Sequence, residues 1–222
     1  VTVGQTATFS VAASGTAPLS YQWRKNGVNI SGATGASYAT PVTVAGDNGA
    51  VFSVVVTNLV GSATSANATL TVNVPPGVTT QPANRIVTVG QTAVFSVVAS
   101  GTAPLSYQWR KNALDISGAT GATYTTPATT VADHGAVFSV VVTNVAGSVT
   151  SADAVLTVNV PPAITSQPVD KMVTVGQTAV FSVVANGTAP LSYQWKKNSV
   201  NISGATGASY ATPVTTLADD GA

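Results

Sequence analysis

The feature that most constrains this chain is an internal period of 86 residues. The segment GTAPLSYQW occupies residues 15–23 and recurs at 101–109 and 187–195. VTVGQTA, starting at Val1, Val87 and Val173, keeps the same step, and so does ISGATGA, starting at Ile30, Ile116 and Ile202. No gap is needed, so the 222 residues hold about 2.6 copies of one unit. Solenoid repeats run to roughly 20–45 residues and cannot bury a core alone. A unit of 86 residues is long enough to be a small independent domain.

The residues inside the unit select strands. Val and Thr dominate, both β-branched and suited to a pleated surface. Charged residues make up only 7%, and Glu is absent, whereas helices ordinarily place Glu, Lys and Arg on their solvent faces. In residues 6–13 (TATFSVAA), Ala7, Phe9, Val11 and Ala13 alternate with Thr and Ser, the period-2 pattern of a half-buried strand. Leu19, Tyr21 and Trp23 share one face of the next strand, and Asn26-Gly27 marks a tight turn. Short strands are predicted at 28–30 and 37–40, a longer one at 51–58 with Phe52, Val54 and Val56 inward, and a last one with Ala68, Leu70 and Val72 inward. This gives about seven or eight strands and no segment of helical period. The fold class is therefore all-β, with one sandwich per repeat.

Domain boundaries fall at proline pairs. Residues 71–74 (TVNV) lead into Pro75 and Pro76, and residues 157–160 lead into Pro161 and Pro162. A proline pair donates no ladder hydrogen bonds and keeps the chain extended. The expected domains are 1–74, 75–160 and 161–222, in a semi-rigid rod. The first lacks its opening strand and the last stops before its final two strands, so the 222 residues read as a window on a longer array.

The buried Trp on the third strand, the D-x-G corner at residues 47–49, 133–135 and 219–221, and a following strand that ends in Thr-Asn together resemble an intermediate-set immunoglobulin domain. More narrowly, they resemble the cysteine-free immunoglobulin-like repeats of large bacterial extracellular proteins. The resemblance implies that Val11 with Val54, Val97 with Val140, and Val183 stand where the family has its cross-sheet cysteines. It also implies that Phe52 and Phe138 replace the family's corner Tyr. The structural core is expected at Phe9, Val11, Tyr21, Trp23, Phe52 and Val54, at Phe95, Val97, Tyr107, Trp109, Phe138 and Val140, and at Phe181, Val183, Tyr193 and Trp195.

Several function classes lack the residues they need. The 14 aromatics all sit at five repeat-equivalent positions, represented by Phe9, Tyr21, Trp23, Tyr38 and Phe52, which leaves no extra aromatic for stacking on sugar rings. His134 is the sole histidine, its counterparts are Asn48 and Asp220, and it reads as surface filler rather than a general base. Ca²⁺ needs six to eight oxygens, so the corner Asp residues read as turn formers, and no metal or cofactor is expected. The eight basic residues are scattered, unlike a nucleic-acid face. No apolar run approaches the roughly 18 residues of a membrane helix. Asn29, Asn67, Asn186 and Asn201 match the short N-glycosylation pattern, which a chain rich in Asn, Ser and Thr also produces by chance. The expected role is a non-enzymatic stalk or filament of a secreted or cell-surface protein. Its partners are neighbouring repeats or other copies; the alternative is a module recognising glycans or surface proteins.

Overall fold

The computed structural model describes residues 1–221. It is built of short strands, with single 3₁₀ turns at Ala45–Asp47, Val131–Asp133 and Leu217–Asp219. The chain forms two compact units, and strands of the second repeat contribute to both.

The first unit comprises Val1–Ala83, Phe95–Tyr124 and Val137–Ala154. In its first repeat, Ser20–Lys25 lies between Val28–Asn29 and Val51–Thr57, which also pairs with Ser62–Thr64 and Ala68–Thr69. The register sets Trp23 opposite Val54 and Lys25 opposite Phe52. The facing layer is Thr8–Ser10 paired with Ser37–Ala39. The second repeat reproduces the pattern: Ser106–Lys111 pairs with Leu114–Asp115 and Val137–Asn144, with Trp109 opposite Val140. Gly77–Thr80 pairs with Val98–Ser100.

Four rings fill the space between the layers. Phe9 stacks on Phe52 at 4.4 Å, Phe9 and Tyr38 each meet Trp23 at 6.3 Å, and Tyr38 stacks on Phe52 at 6.0 Å. Phe95, Trp109, Tyr124 and Phe138 repeat the cluster at 4.5–6.3 Å. Offset and tilted contacts at these separations suit the ring quadrupoles. Trp109, Phe95 and Phe138 are fully buried. Each indole N–H is satisfied by a carbonyl twelve residues on, Trp23 Nε1 to Gly35 at 3.0 Å and Trp109 Nε1 to Gly121 at 2.9 Å. Val54 is buried in one cluster with Trp23, and Val11 packs against that cluster. Val97 and Val140 are likewise buried.

The second unit comprises Asn84–Val94, Thr125–Ala136 and Val155–Ala222. Here Arg85–Thr88 runs parallel to Ala154–Asn159, placing Leu156 and Val158 in the core. In the third repeat, Val180–Ser182 pairs with Ser209–Ala211, and Lys196–Lys197 with Val200–Asn201. Trp195 keeps its contacts with Phe181 (6.4 Å) and Tyr210 (6.3 Å). Phe181, Val183, Tyr193 and Trp195 are only half-buried, unlike Phe95, Val97 and Trp109 of the second repeat.

Several expectations need correction. The strand expected over residues 6–13 spans only Thr8–Ser10, and Ala13 is exposed. Ala68, expected inside, is exposed, while its counterpart Ala154 is fully buried. In the second repeat Gln81 Oε1 accepts from Ala152 N at 2.8 Å, and the counterpart of Gln81 would precede Val1. The first repeat has seven strands, within the expected seven or eight, and the second has ten pieces, because Val94–Ser96 and Val98–Ser100 pair with different partners and the first and last strands each divide.

The tight turn is as expected in kind. Asn26 (φ 48°) and Gly27 (φ 81°) both have positive φ, the geometry of a type I′ hairpin. Ala113 (φ 66°) and Ser199 (φ 67°) occupy the Gly27 position, where a Cβ is unfavourable. Replacing Ala113 with Gly is expected to stabilise the second repeat by about 0.5–1 kcal/mol in chemical denaturation; no gain would show that the turn relaxes in solution.

Candidate functional site

Each sequence-level candidate has a definite place. The corner aspartates cap their own turns. Asp47 Oδ2 accepts from Val44 N at 2.9 Å and Oδ1 from Lys25 Nζ at 2.6 Å. Asp133 accepts from Thr130 N and Oγ1 at 2.7 and 2.9 Å. Asp219 accepts from Thr216 N and Oγ1 at 2.8 and 2.9 Å and pairs with Lys197. Lys197 and then Thr216 hold the Asp219 carboxyl down at about 2, and Lys25 followed by the Val44 amide lowers Asp47. Among the described residues, no three His, Cys, Asp or Glu side chains gather to hold a metal ion.

His134 is more than filler. Its Nδ1 lies 3.2 Å from both Val158 N and Val158 O, so it accepts from the amide as the Nε2–H tautomer and donates to the carbonyl when Nδ1 carries the proton. Asn48 Oδ1 takes Val72 N at 3.0 Å in the first repeat, so both residues tie the corner to the last strand. The sequence hid this because Asn and His look unlike, although both present an acceptor at similar reach.

Phe9, Trp23, Tyr38 and Phe52 form the ring cluster of the first repeat, Tyr38 through two ring contacts. Asn29, Asn67, Asn186 and Asn201 are exposed, and Asn29 Oδ1 accepts from Arg24 Nε at 2.8 Å. A shallow cleft of about 550 Å³ lies between residues 11–14 and 56–65 of the first repeat. In the second repeat Gly77–Thr80 pairs along the equivalent Val98–Ser100, so a strand lies where the first repeat has this cleft. Among the described residues, no buried side-chain N or O atom lacks a partner, which leaves no buried polar group awaiting a ligand.

The joints between repeats are the most elaborate feature outside the core. At the first joint, Val74 N donates to Thr102 Oγ1 at 2.7 Å, and Thr102 N donates to Val74 O at 3.0 Å. Asn144 Nδ2 donates to Val74 O at 2.8 Å and to Thr102 O at 2.9 Å. Its Oδ1 accepts from Ala146 N at 2.9 Å, which sets the direction of the amide. Gly101 lies against the prolines: an added Cβ would stand 2.9 Å from Pro75 O and 3.0 Å from Pro76 Cα. At the second joint, Val160 N donates to Thr188 Oγ1 at 2.7 Å, Thr188 N donates to Val160 O at 2.9 Å, and a Cβ on Gly187 would stand 3.0 Å from Pro162 Cα. The counterpart of Asn144 would fall after Ala222. The signal for these joints was in the sequence: the GT that opens GTAPLSYQW, the Thr-Asn ending residues 137–144, and the Val-Pro-Pro all keep one step.

Layers, register and joints together define a tandem array of immunoglobulin-like β-sandwiches. No protein-family model matches the chain. A three-domain I-band fragment of titin superposes with a TM-score of 0.76 over 98% of this chain and 85% of that one, at 20% identity, which is a likeness of fold. In sequence, the chain is similar to endoglucanase C of Cellulomonas fimi, 41% identical over 117 residues, covering 50% of this chain and 10% of that protein. It is also similar to leucine-rich repeats and immunoglobulin-like domains protein 3 of Mus musculus, 27% identical over 217 residues, covering 86% of this chain and 19% of that one. The chain thus spans a fifth or less of the length of either relative.

Two outcomes test the corner assignments. His134→Asn is expected to keep the stability of the second repeat, and His134→Ala to lower it by about 1 kcal/mol in urea denaturation; equal effects would remove the Val158 bond from the account. The Asp219 carboxyl pKa is lowered by folding, so its contribution is present above the ordinary value of 3.8 and is lost as pH falls through about 2. A carboxyl NMR titration with its midpoint near the ordinary value would contradict the pairing.

Proposed function

We propose that this chain is a non-catalytic structural array serving as a stalk or filament of a secreted or cell-surface protein of the bacterial, cysteine-free kind. Domains of 1–74, 75–160 and 161–222 place each joint at a Val-Pro-Pro. The observation that carries the reading is the repetition of the same hydrogen-bonded joint at Val74 and Val160. Joints tied to the next domain favour a semi-rigid rod over a loose string. Low charge and short, lightly protected strand edges leave room for association with other copies of the chain.

The alternative is an accessory module of a larger secreted protein, with glycans or surface proteins as partners. The 41% identity to part of endoglucanase C is the observation that favours it. The placement of the rings inside the repeats weighs against stacking on sugars.

Negative-stain electron microscopy of the native source material separates the forms. Thin beaded threads, each bead adding on the order of 40 Å, are expected for a stalk. Thicker fibres with a regular axial repeat would make the array a polymer's building material, and compact particles would reject both.

A further inference from the structure

We propose that the pole of each repeat formed by Gly101, Thr102 and Asn144, or by their counterparts, is a socket for the extended Val-Pro-Pro end of the preceding repeat. Each repeat's last residues are then secured by the repeat that follows, and neighbours are coupled rather than independent beads. The inference rests on the joints themselves, whether or not the array serves as a stalk.

The chemistry of the linker explains the socket. Pro75 and Pro76 have no N–H, so Val74 carries the last donor before the joint. Thr102 takes that donor on its hydroxyl and returns its own N–H to the Val74 carbonyl, so both polar groups of Val74 are paired. Asn144 braces the exchange from the end of its strand by reaching the Val74 and Thr102 carbonyls together. With its oxygen held by Ala146 N, the NH₂ must face the joint. Gly101 permits the close approach, because any Cβ would collide with Pro75 and Pro76 backbone atoms. The first repeat has the same brace: Asn58 Nδ2 donates to Thr16 O at 3.1 Å, while Asn58 Oδ1 accepts from Val60 N at 2.9 Å. The socket is therefore built by the repeat's own loops and reads backbone rather than side chains.

The polarity is one-way. The gripping side chains belong to the following repeat, so loss of its fold releases the end of the one before. In solenoid arrays an equivalent nearest-neighbour energy determines how far folding spreads.

The test is amide hydrogen exchange by NMR on the nitrogen-15-labelled 222-residue chain. In the wild type, the Val74, Thr102, Val160 and Thr188 amides are expected to exchange well below unprotected rates. T102V keeps the shape but removes the acceptor. It is expected to speed Val74 exchange by about fivefold to tenfold, leave Val160 unchanged, and be rescued by T102S. Wild-type Val74 and Val160 at unprotected rates, or a Val74 rate unmoved by T102V, would overturn the socket. Should T102V also expose core amides such as Val140, the wild-type rates decide alone. Protected joints in a protein that forms no threads would retire the stalk reading and leave the socket standing.

Discussion

The indole at the centre of each repeat organises what surrounds it. Trp23 and Trp109 are each buried against rings contributed by two other strands, and those rings lie between the two layers. Both indole N–H groups are spent on a glycine carbonyl in the ISGATGA turn, so the same residue that fills the core also pins the crossover between layers. Gln22 works from the opposite face of that strand, donating to the carbonyls of Trp23 and Ile30 at 2.9 and 2.8 Å. A domain with this much aromatic area packed at close range has less need of the cross-sheet disulfide. Val97 and Val140 occupy those positions as ordinary buried hydrophobes.

The rings of the first two repeats are committed to the clusters between their layers. The ionisable groups that pair do so to hold turns: Lys25 with Asp47, Lys197 with Asp219, Arg110 with Asp115. Exposed pairs of this kind contribute little energy and are better read as fastenings for loop ends. The polar groups held in more demanding geometry are those at the joints. In a protein of near-identical units, the joint is where one unit meets something other than itself. That is why function is sought there rather than in any pocket.

Much of the fold was legible because the inward residues Trp23, Phe52 and Val54 are indeed buried, and because the period of 86 residues aligns like with like. What escaped has physical causes. Residues 6–11 alternate, yet only Thr8–Ser10 form a ladder, with single backbone bonds at Ala7 and Val11 extending it on either side, since alternation records which face could be buried and not how far the pairing runs. Ala68 alternates as well as Ala154 does, but its burial depends on a covering segment that lies elsewhere in sequence. His134 and Asn48 do the same work through different side chains, so comparing copies by residue type concealed their shared role. The joint residues were visible as repeated letters, but only the fold brings Thr102 and Asn144 to Val74, because loop and strand end meet there over separations of 28 and 70 residues.

Urea denaturation of a Trp109→Phe variant tests the central claim most directly. The change removes the indole N–H bond to the Gly121 carbonyl and part of the ring surface packed on Phe95 and Tyr124. If the indole organises the repeat, stability falls by about 2 kcal/mol or more. An unchanged denaturation midpoint would contradict the account.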